Sequence, residues 1–128
     1  MQPVKILIVD DEKDVEILFK QKFRKEIRQN QLTLEFAFSG QEALDRLRSN
    51  QPPEFVYIFS DINMPGMDGL ELLELVKKEF ADIQVSMISA YGDRANINKA
   101  MESGAKEFFT KPIDFENLKR EIYKLLNL

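Results

Sequence analysis

Four polar stretches of the sequence carry side chains that could bind a phosphate group or a divalent cation. Carboxylates bind hard cations such as Mg²⁺, a hydroxyl can donate a hydrogen bond to a phosphoryl oxygen, and a lysine supplies a positive charge. Carboxylates that converge repel one another and raise one another's pKa unless a cation lies among them. Together these groups suit Mg²⁺ and phosphoryl chemistry. They are Asp10, Asp11, Asp61, Ser89 and Lys111.

Each of these groups follows, or ends, a short apolar run that predicts a β-strand. The run at 55–59 is FVYIF, with only β-branched or aromatic residues, and it predicts a central strand buried on both faces. Pro65, Gly66 and Gly69 then mark a loop. Ligands of open parallel sheets bind beyond the carboxyl ends of the strands, so we expect the polar groups to meet at that edge. The other runs are residues 4–9, 84–88 and 106–110.

Helical patterns alternate with these strands. Residues 32–38 alternate apolar and other side chains, which predicts a strand nearer the sheet edge. Ser39 and Glu42 have the spacing of a helix capping box, and Gly104 has the position of a helix-ending glycine. Five β-α repeats predict an α/β doubly wound sandwich with a parallel sheet, and we expect residues 1–128 to form a single domain. The helices are expected within residues 13–30, from Ser39 through Leu47, and at 69–80, 93–103 and 115–126.

The composition excludes several classes of site. The 128 residues include no cysteine and no histidine, which rules out disulfides and thiolate metal sites and removes the commonest general base. Any metal is therefore expected to be an oxygen-liking ion such as Mg²⁺. The net charge of −4 argues against direct nucleic-acid binding. No apolar run has membrane-spanning length and no signal peptide precedes the first strand, so we expect a cytoplasmic protein without membrane contact.

Each candidate residue also has a purely structural interpretation. Asp10 and Asp11 precede a predicted helix and could serve only as its cap. Lys111, before Pro112, could be an ordinary solvated loop lysine, and Ser89 by itself is a weaker signal still. The joint arrangement is stronger than its parts, because every group falls at a strand exit on the same edge.

At these residues the chain resembles the receiver domain of two-component response regulators, including the chemotaxis-regulator-like members. The resemblance covers nearly the whole length. It rests on the acidic pair after VKILIV, on the run DINMPGMDG at 61–69, on Ser89 with Ala90, and on Lys111 with Pro112. It implies a flavodoxin-like (βα)5 fold whose five-stranded parallel sheet has the order 2-1-3-4-5.

The resemblance also implies an aspartyl-phosphate site that uses Mg²⁺ or Mn²⁺. Asp61 would be the phosphoryl acceptor, which agrees with the use of carboxylates as covalent nucleophiles. Asp11 and Asp61 would bind the metal directly, with the Asn63 main-chain carbonyl as a third ligand, and Asp10 would act largely through metal-bound water. Such a site positions the transferred group and neutralises its charge.

Further residues take roles from the same resemblance. Ser89 and Lys111 would hold the phosphoryl oxygens, and the Lys111–Pro112 peptide bond would be cis. Ser89 would then move toward the phosphoryl group and Phe108 would rotate inward as a switch. The altered face would consist of the fourth predicted helix, the last strand and the closing helix, where partners or a second copy would dock. Tyr91, together with Asn63, would tune the lifetime of the phosphorylated form.

The implied function is two-component, or phosphorelay, signal transduction. The phosphoryl donor would be a phosphohistidine on a sensor histidine kinase or a histidine phosphotransfer protein, and a downstream effector domain or protein would read the result. The domain would catalyse its own phosphorylation and dephosphorylation without being an enzyme in the turnover sense. It would either stand alone or form the receiver of a longer regulator.

Two alternatives fit the sequence less well. A phosphatase of the haloacid-dehalogenase type also uses a strand-end aspartate and Mg²⁺, but it requires a second acid two residues later, where this chain has Asn63. Its nucleophile also follows the first strand rather than the third. A receiver-like domain that only binds partners would not need the complete set of acidic pair, acceptor, hydroxyl and lysine.

Overall fold

A computed structural model describes residues 2–50, 53–90 and 94–126, and in these residues five strands are each followed by one helix, except the first strand, which is followed by two. The strands are β1 (Val4–Val9), β2 (Leu32–Ala37), β3 (Tyr57–Asp61), β4 (Gln84–Ser89) and β5 (Phe108–Thr110). The helices are α1 (Asp14–Lys22), α2 (Arg24–Arg28), α3 (Gly40–Arg48), α4 (Gly69–Glu79), α5 (Arg94–Glu102) and α6 (Phe115–Leu126).

All the strands pair in parallel in the order β2-β1-β3-β4-β5. This confirms the expected fold class and strand order, and it confirms that β2 lies at the sheet edge. The order reverses between β1 and β3, because the chain first adds β2 on one side and then β3 on the other. Their carboxyl ends therefore lie at the topological switch point where open α/β sheets bind their ligands.

The central strand begins two residues later than the sequence predicts. All five residues of β3 are buried, as expected for a strand covered on both faces, but Val56 is 44% exposed. Val56 still joins the ladder, since its N–H donates to the Lys5 carbonyl over 3.1 Å. Asp61 is consequently the last residue of the strand rather than the first residue of the loop.

The first predicted helix is broken. Residues 13–30 form α1 and α2, separated at Phe23, whose φ of −110° and ψ of 20° depart from helical values. The Phe23 ring is fully buried and packs 6.1 Å from Phe19 and 6.5 Å from Phe115, measured between ring centroids. After the break, α2 buries Glu26, which an uninterrupted amphipathic pattern does not suggest.

Caps and glycines fix other element boundaries. The Ser39 hydroxyl accepts a hydrogen bond from the Glu42 N–H over 3.0 Å, and the Glu42 carboxylate accepts from the Phe38 N–H rather than from Ser39 itself. Gly104 has a φ of +102°, in the region that favours glycine, and it follows α5 as predicted. The last strand is shorter than the predicted 106–110, and the start of the helix predicted at 93–103 lies partly outside the described residues.

Apolar side chains cover both faces of the sheet. On one face, α3, α4 and α5 contribute Leu44, Leu47, Leu72, Leu73 and Ala100 to a buried cluster. On the other, α1 and α6 contribute residues such as Val15, Phe19, Leu118 and Ile122. The two clusters hold the strands rigidly, so the polar loops at the carboxyl edge extend from a fixed platform. Within the described residues, no helix has the length and apolar character needed to cross a membrane.

Candidate functional site

Three aspartates converge at the carboxyl ends of β1 and β3. The two strands pair in register up to Val9 and Ser60, so the next residue on each strand, Asp10 and Asp61, lies at the same edge. One carboxylate oxygen from each of Asp10, Asp11 and Asp61 lies within 4.8 Å of the others. Asp10 and Asp61 are each only 5% exposed, whereas Asp11 is exposed to solvent.

The Lys111 ammonium group lies between the two buried carboxylates. Its Nζ is 3.0 Å from Asp10 Oδ2 and 3.2 Å from Asp61 Oδ2. The lysine follows β5, and its backbone N–H donates to the carbonyl of Ser89 over 2.7 Å. The Lys111–Pro112 peptide bond is cis. The loop after β5 is thus tied to β4, and it brings a cation to the centre of the acidic group.

Backbone N–H groups hold the other oxygens of the two buried aspartates. Asp10 Oδ1 accepts from the Glu12 N–H over 2.9 Å, and Asp61 Oδ1 accepts from the Asn63 N–H over 3.3 Å. Asp11 makes no ion pair and no side-chain hydrogen bond with the described part of the chain. The carboxylates of Asp10 and Asp61 are therefore fixed in position, whereas the carboxylate of Asp11 is exposed to solvent.

Electrostatics at this cluster disfavour the charged form of the acceptor candidate. Burial, followed by the negative charge of Asp10, raises the pKa of Asp61, and Lys111 only partly offsets this. For Lys111, desolvation acts to lower the pKa, but the hydrogen bond to Asp10 and the charge of Asp61 outweigh it, so its pKa is raised. The lysine therefore stays protonated, and the acidic group holds more negative charge than one lysine neutralises.

Gly69 and Asp68 allow α4 to begin directly against the exit of β3. A Cβ atom on Gly69 would lie 2.1 Å from the Asp61 carbonyl oxygen, so no larger residue fits there without moving the strand end. The Gly69 N–H donates to the Ile62 carbonyl over 2.8 Å, and Asp68 Oδ1 caps the helix by accepting from the Glu71 N–H. Gly69 begins the helix predicted over residues 69–80, and the structure confirms this start. The Asp68 cap was not predicted, although the spacing of Asp68 from Glu71 is that of a capping box.

Ser89 ends β4, next to the strand that carries Asp61, and Phe108 begins β5 on the far side of β4. Ser89 is buried at the end of β4, and the residue before it, Ile88, pairs in register with Asp61. Phe108 is partly buried against the cluster that contains Ala100, whereas Phe109 packs on the opposite face, 5.9 Å from the Phe59 ring. Strand alternation predicts this opposition, which is confirmed. Tyr91 lies outside the described residues.

Comparison with known proteins identifies the family. The profile described as the response regulator receiver domain matches residues 6–123. The chain belongs to the response regulator receiver family. It is 36% identical over 128 residues to sporulation initiation phosphotransferase F of Bacillus subtilis (strain 168), covering all of this chain and 98% of that protein. It is 30% identical to the response regulator MprA of Mycolicibacterium vanbaalenii, covering 97% of this chain but about half, 51%, of that protein.

Solved structures agree with this membership. The receiver domain of the Francisella response regulator 1452 is 29% identical, with a TM-score of 0.82 and 97% of each chain covered. A response regulator receiver protein from Pseudomonas putida has a TM-score of 0.85 at 20% identity, covering 97% of this chain and 98% of that one, and so supports the fold alone. The chain is thus a receiver domain of the two-component systems. Receiver domains act as phosphoacceptor switches rather than as classical enzymes.

The acidic cluster of this receiver suits a hard divalent cation. All three side-chain donors are carboxylates, the ligand type that Mg²⁺ and Mn²⁺ prefer, and one of them is open to solvent. Burial, followed by the negative charge of Asp10, raises the pKa of Asp61, and a cation bound among the carboxylates would favour the charged form. The residues present therefore fit the metal that receivers bind at an acidic pocket.

Proposed function

We propose that this receiver is a phosphorylation-controlled switch whose acceptor is Asp61. The observation that carries the proposal is the position of the Asp61 carboxylate. It lies at the end of the central strand, 3.2 Å from the Lys111 ammonium nitrogen and within a cluster of three carboxylates. A carboxylate held rigidly in such a site is a suitable nucleophile, because phosphoryl transfer depends mainly on positioning and on charge neutralisation.

In the proposed reaction, a carboxylate oxygen of Asp61 attacks the phosphorus of a phosphohistidine on a sensor histidine kinase or a histidine phosphotransfer protein. The new O–P bond forms as the N–P bond breaks, and the imidazole leaves with the electron pair and takes up a proton. The Asn63 N–H orients the attacking carboxylate, and Lys111 stabilises negative charge on the phosphoryl oxygens. The same site would accept a phosphoryl group from small donors and later lose it to water.

Asp11, Asp61 and the main-chain carbonyl of Asn63 would hold Mg²⁺ or Mn²⁺ directly, with Asp10 acting through metal-bound water. When bound, the ion neutralises charge on the group that is transferred. Asp10 already engages Lys111 and the Glu12 N–H, whereas Asp11 has no competing partner among the described residues. This difference supports Asp11 rather than Asp10 as the direct ligand.

We propose that Ser89 and Phe108 pass the signal to the surface. The Ser89 hydroxyl would move toward a phosphoryl oxygen on Asp61, and this movement would open space for the partly buried Phe108 ring. Phosphorylation is a local charge event that needs such a two-state element to be read elsewhere. The altered surface would be formed by α5, β5 and α6, where a downstream effector or a second copy would bind. Nucleic acid would not contact this domain directly.

The haloacid-dehalogenase alternative gains no support. The residue two positions after Asp61 is Asn63, and its observed contact with Asp61 comes from the backbone N–H. No carboxyl group is available at that position to act as acid and base. We therefore retain the phosphoacceptor switch as the proposed function. We propose that it acts in the cytoplasm, either as a stand-alone domain or within a longer regulator.

The test is intact-protein mass spectrometry after incubation with Mg²⁺ and acetyl phosphate. We expect one phosphoryl group on the wild-type protein and none on Asp61→Asn. The matched control is Asp82→Asn, an exposed aspartate before β4, which should be phosphorylated like the wild type. An equal mass gain in Asp61→Asn would refute the assignment.

A further inference from the structure

A strongly basic segment lies at the junction of α1 and α2 in this otherwise acidic chain. Residues 20–28 hold five cations and one acid, although the net charge of the whole chain is −4. The single acid, Glu26, is buried and turned inward toward α6, where the Tyr123 hydroxyl donates to it. Arg24, Lys25 and Arg28 are exposed and make no ion pair within the described residues. The segment therefore presents uncompensated positive charge.

This charge borders a groove of about 460 Å³ between the two helices and the first half of β2. Its cationic rim consists of Lys20, Arg24 and Arg28, and its apolar lining includes Ile27, Leu32 and Leu34. Lys20 already pairs with Glu16 at 2.8 Å, which leaves the two arginines as the open cations. A ligand for this groove should combine negative charge with apolar side chains.

The groove runs along an open sheet edge. β2 is the terminal strand of the sheet, and it bonds to β1 through the main-chain groups of alternate residues, beginning with the Gln31 carbonyl and ending with the Ala37 carbonyl. Because the main-chain groups of successive residues in a strand face opposite edges, the N–H and C=O groups of Leu32, Leu34 and Phe36 face away from β1. Within the described residues, no other strand covers this row. An edge of this kind can pair with an added extended chain.

We propose that this groove binds an acidic, extended segment of a partner protein, which adds as a further strand beside β2. Its main chain would pair with Leu34 and its neighbours, its acidic side chains would meet Arg24 and Arg28, and its apolar side chains would enter the groove. Charge complementarity and the open edge select a peptide over a flat anionic surface, because only an extended chain satisfies both the cations and the row of main-chain groups.

This surface is separate from the aspartyl-phosphate site proposed above. Leu32 and Leu34 pair in register with Val4 and Ile6, near the amino end of β1, whereas Asp10 follows the carboxyl end of that strand. Binding at the groove therefore should not require phosphorylation. It would give the domain a second contact with a partner, independent of the state of Asp61.

The experiment measures the binding of a fluorescein-labelled peptide that repeats Glu-Thr-Val-Thr, by fluorescence anisotropy at low ionic strength. In an extended chain this repeat places glutamate and valine side chains on the same face, as the groove and its cationic rim require. We expect saturable binding that weakens as salt is added, because exposed charges are screened. Arg28→Glu should weaken it by at least about fivefold, since an attractive pair becomes a repulsive one. Lys78→Glu, the same charge reversal at an exposed lysine on α4, should leave the affinity unchanged.

Two further probes test the strand pairing. The peptide is made in two N-methylated forms, one blocked at every glutamate and valine and the other at every threonine, so that each form loses the N–H groups along one edge. One form should bind far more weakly than the other. Amide hydrogen exchange should slow at Leu34 and Phe36 when the unmodified peptide is added.

Three results would overturn the proposal. The first is equal binding of a peptide with lysine in place of glutamate, which would remove the role of charge. The second is equal binding of both N-methylated forms without protection of Leu34, which would remove the added strand. The third is binding to phosphatidylglycerol vesicles with no binding to the acidic peptide, which would assign the basic segment to a membrane surface.

Discussion

The Lys111 ammonium nitrogen lies 3.2 Å from Oδ2 of Asp61, although the two residues are fifty positions apart. The same nitrogen contacts Asp10, so one cation bridges two carboxylates that are each only 5% exposed. A buried charge that loses its partner retains its desolvation penalty. Lys111 thus stabilises the two buried carboxylates of the metal-free site.

Replacing Lys111 with methionine should therefore destabilise the metal-free protein. We expect the free energy of unfolding to fall by about 1–3 kcal/mol at neutral pH, since two buried carboxylates lose their cation. Mg²⁺ should still bind and should recover more stability in Lys111→Met than in the wild type. Urea denaturation with and without Mg²⁺ measures both effects. Lys78→Met is the control, and unchanged metal-free stability of Lys111→Met would contradict the proposed role.

Mg²⁺ affinity should depend more on Asp11 than on Asp10. Asp11 is exposed and has no side-chain partner in the described part of the chain, whereas both oxygens of Asp10 already have protein partners. We expect Asp11→Ala to weaken binding by at least about tenfold, the loss typical of groups that support a metal site. Calorimetric titration measures this, with Asp14→Ala as a control for the lost charge. A larger loss in Asp10→Ala than in Asp11→Ala would show that the direct ligand is wrongly assigned.

A buried contact between Glu26 and Tyr123 should make the stability of the fold depend on pH. Burial acts to raise the pKa of Glu26, but the Tyr123 hydroxyl and the nearby Lys119 outweigh it, so its pKa is lowered. Because the folded state favours the carboxylate, this stabilisation is complete above the unfolded pKa of about 4.5 and is lost as the pH falls through the lower folded value. Tyr123→Phe should cost about 1–3 kcal/mol at pH 7 and progressively less in acid.

Denaturation of Tyr123→Phe, Glu26→Gln and the double variant across this pH range would isolate the contact. We expect a coupling energy at pH 7 that shrinks as Glu26 is protonated. A coupling that does not change with pH would contradict the assignment of the effect to the Glu26 carboxylate.

The switch should be visible by amide NMR when beryllofluoride and Mg²⁺ are added. We expect large shifts at Asp61 and also at Ser89, Phe108 and the residues of α5, because movement of Ser89 would repack the partly buried Phe108 ring. Ser89→Ala should confine the shifts to the acidic cluster. Shifts limited to Asp10, Asp61 and their contacts in the wild type would rule out the proposed switch.

The sequence predicts the sheet and the acidic cluster well, because both follow from local patterns. Apolar runs specify the strands, and the edge rule for parallel sheets then brings Asp10 and Asp61 together without knowledge of any contact. The two-residue shift of β3 was not predictable in this way, because Val56 is as apolar as its neighbours. Only its exposure to solvent, just before the first residue of β3, distinguishes Val56 from the apolar residues that follow it.

Contacts between distant segments account for the rest of what was missed. At the break of the first helix Phe23 packs against Phe115, and the buried Glu26 accepts a hydrogen bond from Tyr123 in α6. Neither partner is near in sequence, so helical periodicity alone predicts one continuous helix. The Asp68 cap, by contrast, was readable from its spacing to Glu71.

The most direct test of the central claim is the chemical location of the phosphoryl group. The protein is phosphorylated with acetyl phosphate and Mg²⁺ and then reduced with borohydride, which converts an aspartyl phosphate to homoserine. Peptide sequencing by mass spectrometry then locates the change. We predict homoserine at position 61 alone. Homoserine at position 10 or 11, with Asp61 unmodified, would contradict the assignment of Asp61 as the acceptor.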